Sequence, residues 1–298
     1  MLLRPLTIDD KPIFDSYACQ VDTKLSSYAF VSNWIWQDLF DFKWTVINDQ
    51  FCLFVRQIDS FFMPIMPMGR RFNQNTIRYA WDLMIANSQN DQIVRIETVP
   101  DEKLPLFHLL GFQPFLRETE YLYSTNQLTH LHGNSYKSKR SSINSLIRSG
   151  QNLRIDAYRP AMRDQCLELY HRWQLERQTK YDNAIYHAML ADSLVAYKSS
   201  LIHFKQLGLV GLLGYVNGEL RAYTCGYQLN HQVFCILFEV VDLSVKGFPQ
   251  FIFREFCRGR SERWLNTMGD SNLDNLRKVK LSYRPSQTIP VYNVRYEK

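Results

Sequence analysis

Two carboxylates follow an apolar strand predicted in the second half of the chain. Glu239 and Asp242 lie at and just beyond the end of residues 232–241, a largely apolar run that we expect to cross a protein core. A carboxylate that leaves such a strand is partly desolvated, which raises its pKa toward the range of a general base. Both are therefore candidate catalytic residues that deprotonate or orient an attacking hydroxyl or amine. In the alternative, Glu239 caps a turn or pairs with an arginine.

A second group of reactive residues lies in residues 268–285, which are dense in charge. Arg277 and Lys280 are three positions apart, so helical periodicity places them on adjacent turns with side chains that can point the same way. Arginine can clamp a phosphate with a fork of donors, and lysine supplies a point charge. Arg284 can extend this patch, which makes all three candidate substrate-binding residues. The alternative is a solvated surface helix.

The ends of this segment carry two further candidates for catalysis. Asp270 precedes the predicted helix, where it can hold a substrate amine or position Arg277. Tyr283 can donate a proton to a leaving oxygen, or it can lie in the core. We expect Ser271 or Asn272 to cap the helix, because short polar side chains accept bonds from its first N–H groups.

Two basic segments elsewhere could bind phosphate. Lys246 and Gly247 open a predicted helix, and helix N-termini attract anions through free N–H groups and the dipole. Lys139 and Arg140 lie among serines in the segment that joins the two halves. They are candidates for contact with tRNA or lipid phosphates, an interaction that salt weakens. The alternative for this segment is a solvated linker.

Composition narrows the class of protein. The chain has 298 residues, 46% apolar and 21% charged, which is typical of a folded globular protein with room for two domains. The net charge of +6 favours an anionic partner such as phosphate, RNA or lipid head groups. The six cysteines show no C-x-x-C spacing, and His130 and His132 have no third ligand nearby. We therefore expect no metal site and reduced cysteines.

The sequence also indicates where the protein works. The first residues lack the long apolar stretch of a signal peptide, and no apolar run approaches the roughly 18–20 residues of a membrane span. We expect a cytoplasmic protein that meets a membrane, if at all, only from its surface.

The elements that must position these residues are predicted in the same order twice. Each half reads β-α-α-β-β-β-α-β-α-β, with residues 60–66 as the third strand of the first meander and Asn217-Gly218 as a type I′ hairpin turn. A mixed sheet with a central antiparallel meander and flanking helices is an α/β or α+β fold.

This order resembles the GNAT acyltransferase fold, and residues 103–114 look like the end of a GNAT domain. Residues 120–146, 238–256 and 268–285 resemble the phosphatidylglycerol lysyltransferase C-terminal domain family, the last of them most specifically. The resemblance implies two tandem GNAT-like domains. We place them at 1–125 and 151–298, joined by a basic segment at 126–150.

The family resemblance implies an aminoacyltransferase. Such an enzyme moves an aminoacyl group from aminoacyl-tRNA onto an acceptor, which is phosphatidylglycerol in some members, and it needs no cofactor. Membrane-bound members carry a multi-helix membrane domain before this one, so the chain looks like the stand-alone soluble kind. The acceptor could be an anionic phospholipid at a membrane surface, a peptide or a small molecule.

Two other readings stay open. The first is acyl transfer from a coenzyme A thioester to a small amine. Acyl-CoA-using GNATs cradle pyrophosphate with a Gly-rich turn, whereas this chain has only Gly247 there, followed by Pro249, which lacks an N–H. The second is a non-catalytic basic module that binds an anionic lipid or protein. We expect the first half to be a scaffold that helps to shape an acceptor groove, because residues 60–72 contain no carboxylate pair.

Overall fold

The computed structural model describes residues 2–180 and 183–296. These residues form two compact units. Unit 1 comprises 2–120, 269–272 and 288–296, and unit 2 comprises 121–180, 183–268 and 273–287. Unit 1 therefore combines the start of the chain with segments near its end, whereas unit 2 consists of the middle of the chain and one later segment.

The first half of the chain contains six strands and four α-helices among the described residues, joined by short 3-10 turns. In chain order they are β1 (Arg4–Pro5), α1 (Lys11–Ala18), α2 (Phe30–Trp34), β2 (Asp41–Ile47), β3 (Gln50–Gln57), β4 (Ser60–Phe62), α3 (Gln74–Asn87), β5 (Ile96–Val99), α4 (Leu104–Leu109) and β6 (Phe112–Ser124).

The second half opens with two connecting helices and then repeats the order. Its elements are α5 (Thr125–His130), α6 (Lys137–Arg148), β7 (Leu153–Ala157), α7 (Arg163–Lys180), α8 (Ala184–Ile202), β8 (Val210–Val216), β9 (Glu219–Gln228), β10 (Val233–Val241), α9 (Phe248–Arg258), β11 (Trp264–Gly269), α10 (Asp274–Ser282) and β12 (Gln287–Tyr296). The predicted duplicated order is present, and the mixed α/β class with helix-flanked sheets is confirmed.

Unit 1 contains a four-stranded antiparallel sheet in the order β1-β2-β3-β4. The loop between β2 and β3 has only two residues, Asn48 and Asp49, and both have positive φ angles, 47° and 59°. Such a backbone matches the twist of the adjoining strands, as in a type I′ turn. The third strand of this meander is shorter than predicted. It ends at Phe62 because Pro64 and Pro67 cannot donate to a strand ladder.

Unit 2 contains the strands that carry the carboxylates. Its sheet runs β11-β10-β9-β8-β7, with β10 parallel to β11 and the other neighbours antiparallel. The predicted turn between β8 and β9 is confirmed, since Asn217 and Gly218 have φ angles of 52° and 85°. Helices α6 and α9 cover this sheet through an apolar cluster that includes Leu146, Val241 and Ile252.

The units divide the chain differently from the predicted domain boundaries. β12, the last strand of the second half, pairs antiparallel with β5 inside unit 1, and Val294 lies opposite Ile96. Conversely, residues 121–124 of β6 lie in unit 2. The last strand of each half thus contributes to the unit built mainly from the other half.

The predicted cap of α10 is wrong. Ser271 and Asn272 have left-handed backbones, with φ angles of 49° and 56°, whereas a helix cap is normally extended. The helix instead begins at Asp274 after Leu273, whose side chain cannot cap it. Asn272 N–H donates to the Asp270 carboxylate at 3.0 Å, which closes a tight turn before the helix.

Within residues 2–180 and 183–296, no helix is both long enough and apolar enough to cross a membrane.

Candidate functional site

Glu239 lies near the end of β10, where the strand changes its pairing. The register between β9 and β10 shifts between Ile236 and Phe238, and Glu239 then pairs opposite Thr224. A bulge adds one residue to a strand and re-aims the side chains that follow it, and bulges recur beside active sites. The residues before the bulge are buried, whereas the Glu239 side chain is accessible to solvent. The strand therefore runs through the core and places the Glu239 carboxylate where solvent can reach it.

The surroundings of Glu239 raise its pKa to about 7. The main cause is desolvation by the protein packed around it, and the ammonium groups of Lys280 and Lys139 partly counteract it. The carboxylate accepts no hydrogen bond from the residues that the structure describes. A carboxylate with these properties can take up and release a proton near neutral pH.

Lys139 approaches this site from α6, within unit 2. Its Nζ donates a hydrogen bond to Ser282 Oγ at 2.8 Å and lies 3.9 Å from the ring centroid of Tyr283. Desolvation lowers the pKa of Lys139, and the charge of Glu239 opposes that shift. The segment predicted either as a solvated linker or as a phosphate contact is therefore a helix that brings one cation toward Glu239.

Lys280 approaches from α10. Its Nζ donates to the backbone oxygen of Thr267, and it lies 3.3 Å from the Thr267 hydroxyl. The backbone oxygen of Lys280 in turn accepts a hydrogen bond of 2.8 Å from Tyr123 Oη. These contacts fix the position of α10 and of the Lys280 side chain. The helices α6 and α10 thus place Lys139 and Lys280 near the Glu239 carboxylate of β10.

The ring of Tyr283 packs beside the ammonium group of Lys139. It is buried, and its ring centroid lies 4.8 Å from that of Phe253. Burial, followed by the charge of Glu239, holds the pKa of Tyr283 well above its ordinary value. Its hydroxyl therefore keeps its proton at neutral pH and is suited to donate rather than to accept.

Asp242 has a different environment from Glu239. Its carboxylate forms an ion pair with Arg221 and accepts a 2.9 Å hydrogen bond from Ser244 N–H. Desolvation raises the pKa of Asp242, but the hydrogen bonds from Ser244 and the charge of Arg221 outweigh it, so the pKa lies below its ordinary value. This carboxylate stays ionised at neutral pH and fixes the turn that follows β10.

The helix N-terminus at Gly247 offers few donors to an anion. Gly247 has a φ of 84°, and a Cβ on it would lie 2.3 Å from the backbone oxygen of Ser142 in α6. Phe248 N–H already donates to Val245 at 3.2 Å, and Pro249 has no N–H. Lys246 is exposed beside this turn. The glycine therefore permits two helices to pack closely, and the turn does not provide a row of N–H groups.

The other predicted binding residues lie outside this cluster. Arg140 donates to the backbone oxygens of Leu131 and Gly133, which ties down the turn before α6. Arg277 is partly exposed, with Nη1 3.7 Å from Asp274, and Arg284 is exposed.

Asp270 is fully buried and belongs to unit 1, whereas Glu239 belongs to unit 2. Its carboxylate accepts from Asn272 N–H within the tight turn before α10.

Sequence reasoning missed the residues that hold the two lysines. Thr267 and Ser282 fix their ammonium groups, and Tyr123 fixes the helix that carries Lys280. These contacts join positions 13 to 157 residues apart, so no local pattern predicts them. Thr224 was also missed. It is fully buried opposite Glu239, and its hydroxyl has no partner among the described residues.

The described residues contain no group of three or more histidine, cysteine or carboxylate side chains arranged to hold a metal ion. All six cysteines are free thiols.

Comparisons with solved structures show the fold. A conserved protein of unknown function from Bacteroides thetaiotaomicron is 22% identical, with 99% of each chain covered and a TM-score of 0.88. L-PGS from Bacillus licheniformis is 13% identical, with 97% of this chain and 93% of that one covered and a TM-score of 0.63. A tandem GNAT protein from the clavulanic acid biosynthesis pathway is 8% identical over 100% and 99% of the chains, with a TM-score of 0.54.

These likenesses confirm the GNAT-like tandem fold. Among curated proteins, none has a sequence that matches this chain. The family model for the phosphatidylglycerol lysyltransferase C-terminal domain matches residues 20–295, nearly the whole chain. The chain therefore belongs to the phosphatidylglycerol lysyltransferase C-terminal domain family.

Proposed function

We propose that the protein is an aminoacyltransferase that moves an aminoacyl group from aminoacyl-tRNA to a lipid, peptide or small-molecule acceptor. Family membership and the GNAT-like fold support an acyltransferase-type function. The observation that carries the proposal is the solvent-accessible Glu239, with a pKa of about 7, beside the cations of Lys139 and Lys280.

In this proposal Glu239 is the general base. Its carboxylate takes the proton from the acceptor hydroxyl or amine as that atom attacks the carbonyl carbon of the aminoacyl ester. The bond from that carbon to the ribose oxygen of tRNA breaks, and the proton passes from Glu239 to the leaving oxygen. A base with a pKa near the working pH performs both transfers most effectively. Tyr283 is the alternative donor to the leaving oxygen.

Lys139 and Lys280 have the electrostatic role. Their ammonium groups stabilise the negative charge that develops on the attacked carbonyl oxygen, or a neighbouring phosphate of the donor. Lys246 and Arg284, which are exposed, and Arg277, which is partly exposed, are candidates to contact the tRNA backbone or anionic lipid head groups. Asp242 acts by positioning, since Arg221 and Ser244 already hold its carboxylate.

The helix N-terminus beside Gly247 supports tRNA rather than coenzyme A as the donor. Of the first three residues of α9, Phe248 uses its N–H, Pro249 has none and only Gln250 remains, a poor cradle for a pyrophosphate. The family is named for phosphatidylglycerol lysyltransferase, which makes a lipid at a membrane surface the first acceptor to test.

The test is transfer of label by the purified full chain. A panel of radiolabelled aminoacyl-tRNAs is incubated with phosphatidylglycerol vesicles, and in parallel with peptide and small-molecule extracts of cells. A second set of reactions supplies labelled acyl-coenzyme A instead. We expect label to move from one or a few aminoacyl-tRNAs into one acceptor class and none to move from the thioester.

The matched control compares Glu239→Gln with Glu176→Gln, the same change at an exposed position of α7. We expect the first to lower the rate by about 10²–10⁴-fold and the second to leave it unchanged. Transfer from the thioester alone would overturn the donor, and full activity of Glu239→Gln would overturn the proposed base.

A further inference from the structure

The strand β7 lies at one end of the unit 2 sheet. It pairs with β8 and has no neighbour on its other side among the described strands. A strand in this position presents a row of unpaired backbone N–H and C=O groups, which is a template for pairing with another chain. We call this open side of residues 153–157 the β7 edge.

The pairing of β7 with β8 shows which residues direct their backbone groups outward. Asn152 and Tyr158, which flank β7, form backbone hydrogen bonds of 2.8 and 2.9 Å with residues of β8 and of the turn after it. The bonding direction alternates from residue to residue along an antiparallel strand. Leu153, Ile155 and Ala157 therefore direct their N–H and C=O groups away from β8, toward the open side.

The side chains of β7 carry opposite charges in a pattern that is complementary to itself. Arg154 and Asp156 lie on either side of Ile155, and alternation along the strand puts both on the same face of the sheet. When a second copy pairs antiparallel with Ile155 opposite its counterpart, Arg154 of each copy lies opposite Asp156 of the other. Opposite charges at directly facing positions stabilise a strand pair.

The same charges disfavour the other registers. A shift of two residues in either direction places Arg154 opposite Arg154, or Asp156 opposite Asp156, and facing like charges destabilise a pair. A shift of one residue brings outward-directed backbone groups opposite groups that already bond to β8. The favoured register also overlaps all five residues of β7.

The side chains of the edge are available to a second copy. The Arg154 guanidinium lies 3.0 Å from the Asp156 carboxylate, with the side chains 58% and 41% exposed. An ion pair this exposed contributes little to stability, so both groups can turn to a facing partner at little cost. The Arg154 guanidinium also lies over the ring of Tyr215, which keeps it on this face. On the opposite face Ile155 is 40% exposed, and its counterpart in a second copy would cover it.

We propose that the β7 edges of two copies of this chain pair antiparallel about a two-fold axis at Ile155. The backbone groups of the outward-directed residues form the ladder, and Arg154 and Asp156 form two ion pairs across it. Each copy has one such edge, so association stops at two copies. The strand that carries Glu239, β10, is separated from β7 by β8 and β9, so the pairing does not depend on the transfer reaction.

The test is sedimentation velocity of the full chain at roughly 1–100 μM, with the average mass as the readout. The mass should rise from that of one chain to that of two and no further. Arg154→Asp and Asp156→Arg should each raise the dissociation constant of the dimer by more than about tenfold, because each sets like charges opposite each other. An equimolar mixture of the two variants should form a heterodimer, and the double variant Arg154→Asp/Asp156→Arg should dimerise again.

Ile155→Pro tests the backbone ladder separately. It removes an N–H that β8 does not use, and an edge strand tolerates proline at such a position, so the variant should fold but not dimerise. The matched control for charge is Arg263→Asp, the same change at an exposed position beside β11, well along the sheet from β7. It should dimerise as the unaltered protein does. Circular dichroism and thermal unfolding confirm that each variant is folded.

Three results would overturn the proposal. The first is a chain that remains a single copy at about 100 μM, which would leave the β7 edge to a strand of some other protein. The second is a pair of folded charge variants that dimerise as well as Arg263→Asp does. The third is a mixture of those two variants that associates no better than each does alone.

Discussion

Lys280 on α10 lies within electrostatic reach of Glu239 on β10, and its ammonium group counteracts part of the desolvation that raises the Glu239 pKa to about 7. The two residues are 41 positions apart in sequence (280 − 239) and belong to different elements of unit 2. The backbone oxygen of Thr267 accepts a hydrogen bond from Lys280, and β10 fixes the backbone of Glu239. Both members of the pair are therefore held in position by unit 2.

The effect of Lys280 can be tested through the pH dependence of transfer. Because Lys280 lowers the pKa of Glu239, Lys280→Met should move the acidic limb of the pH–rate profile to higher pH. Lys278→Met, on the exposed side of the same helix, should leave that limb in place. The profile of kcat/KM reports the free enzyme and is the measurement to use. Equal profiles for the two variants would show that Lys280 does not act on the base.

Glu239 should also make folding stability depend on pH. The folded protein holds the Glu239 proton more tightly than the unfolded chain does, since its pKa is about 7 against an ordinary 4.5. Its contribution is therefore most favourable below pH 4.5 and is lost as the pH rises to 7.

Urea unfolding of the unaltered protein and of Glu239→Gln measures this contribution at both ends of that range. The free energy of unfolding of the unaltered protein should fall relative to that of Glu239→Gln as the pH rises. A constant difference between the two proteins would contradict the raised pKa.

Gly247 should be required for the packing of α6 on α9. Gly247→Ala places a Cβ 2.3 Å from the backbone oxygen of Ser142 and forces a left-handed backbone onto an alanine. We expect a loss of more than about 1 kcal/mol in the free energy of unfolding. Gly259→Ala is the control, because its Cβ would meet only an ordinary contact of 3.5 Å. Chemical denaturation should show little change for Gly259→Ala, and equal losses would refute the close-packing role.

Tyr283 can be separated from Glu239 by a conservative change. Tyr283→Phe keeps the ring that packs on Phe253 and lies against Lys139, but it removes the hydroxyl. If the hydroxyl donates to the leaving oxygen, kcat should fall by about 10²-fold or more while thermal stability is kept. If Glu239 alone shuttles the proton, kcat should change little. A matched loss of stability and activity would indicate a packing role only.

The sequence predicts the elements of this fold well because its patterns are local. Alternating apolar residues define the strands, and the Asn217-Gly218 turn has the positive φ angles that its residues favour. The position of Glu239 after an apolar run predicts a desolvated carboxylate, and desolvation is the main cause that raises its pKa in the structure. The prediction that Ser271 or Asn272 caps α10 is wrong, because the turn around Asp270 gives both residues a left-handed backbone.

What the sequence does not predict are the long-range arrangements. The final strand β12 pairs with β5 of the first half. The order of elements along the chain would be the same if β12 paired with a strand of the second half, so that order cannot predict the pairing. The bond from Lys139 to Ser282 crosses 143 positions. Asp242 and Glu239 are three residues apart, yet the hydrogen bonds from Ser244 and the charge of Arg221 lower the pKa of Asp242, whereas desolvation raises that of Glu239.

The most direct test of this account is the pKa of Glu239 itself. Carbon-13 NMR of side-chain carboxyl groups, with Glu239→Gln used to assign the signal, gives that value by titration. We predict a pKa of about 7, with the titration moving upward in Lys280→Met. A Glu239 signal that titrates near the ordinary value of 4.5 would contradict its role as a base tuned to neutral pH.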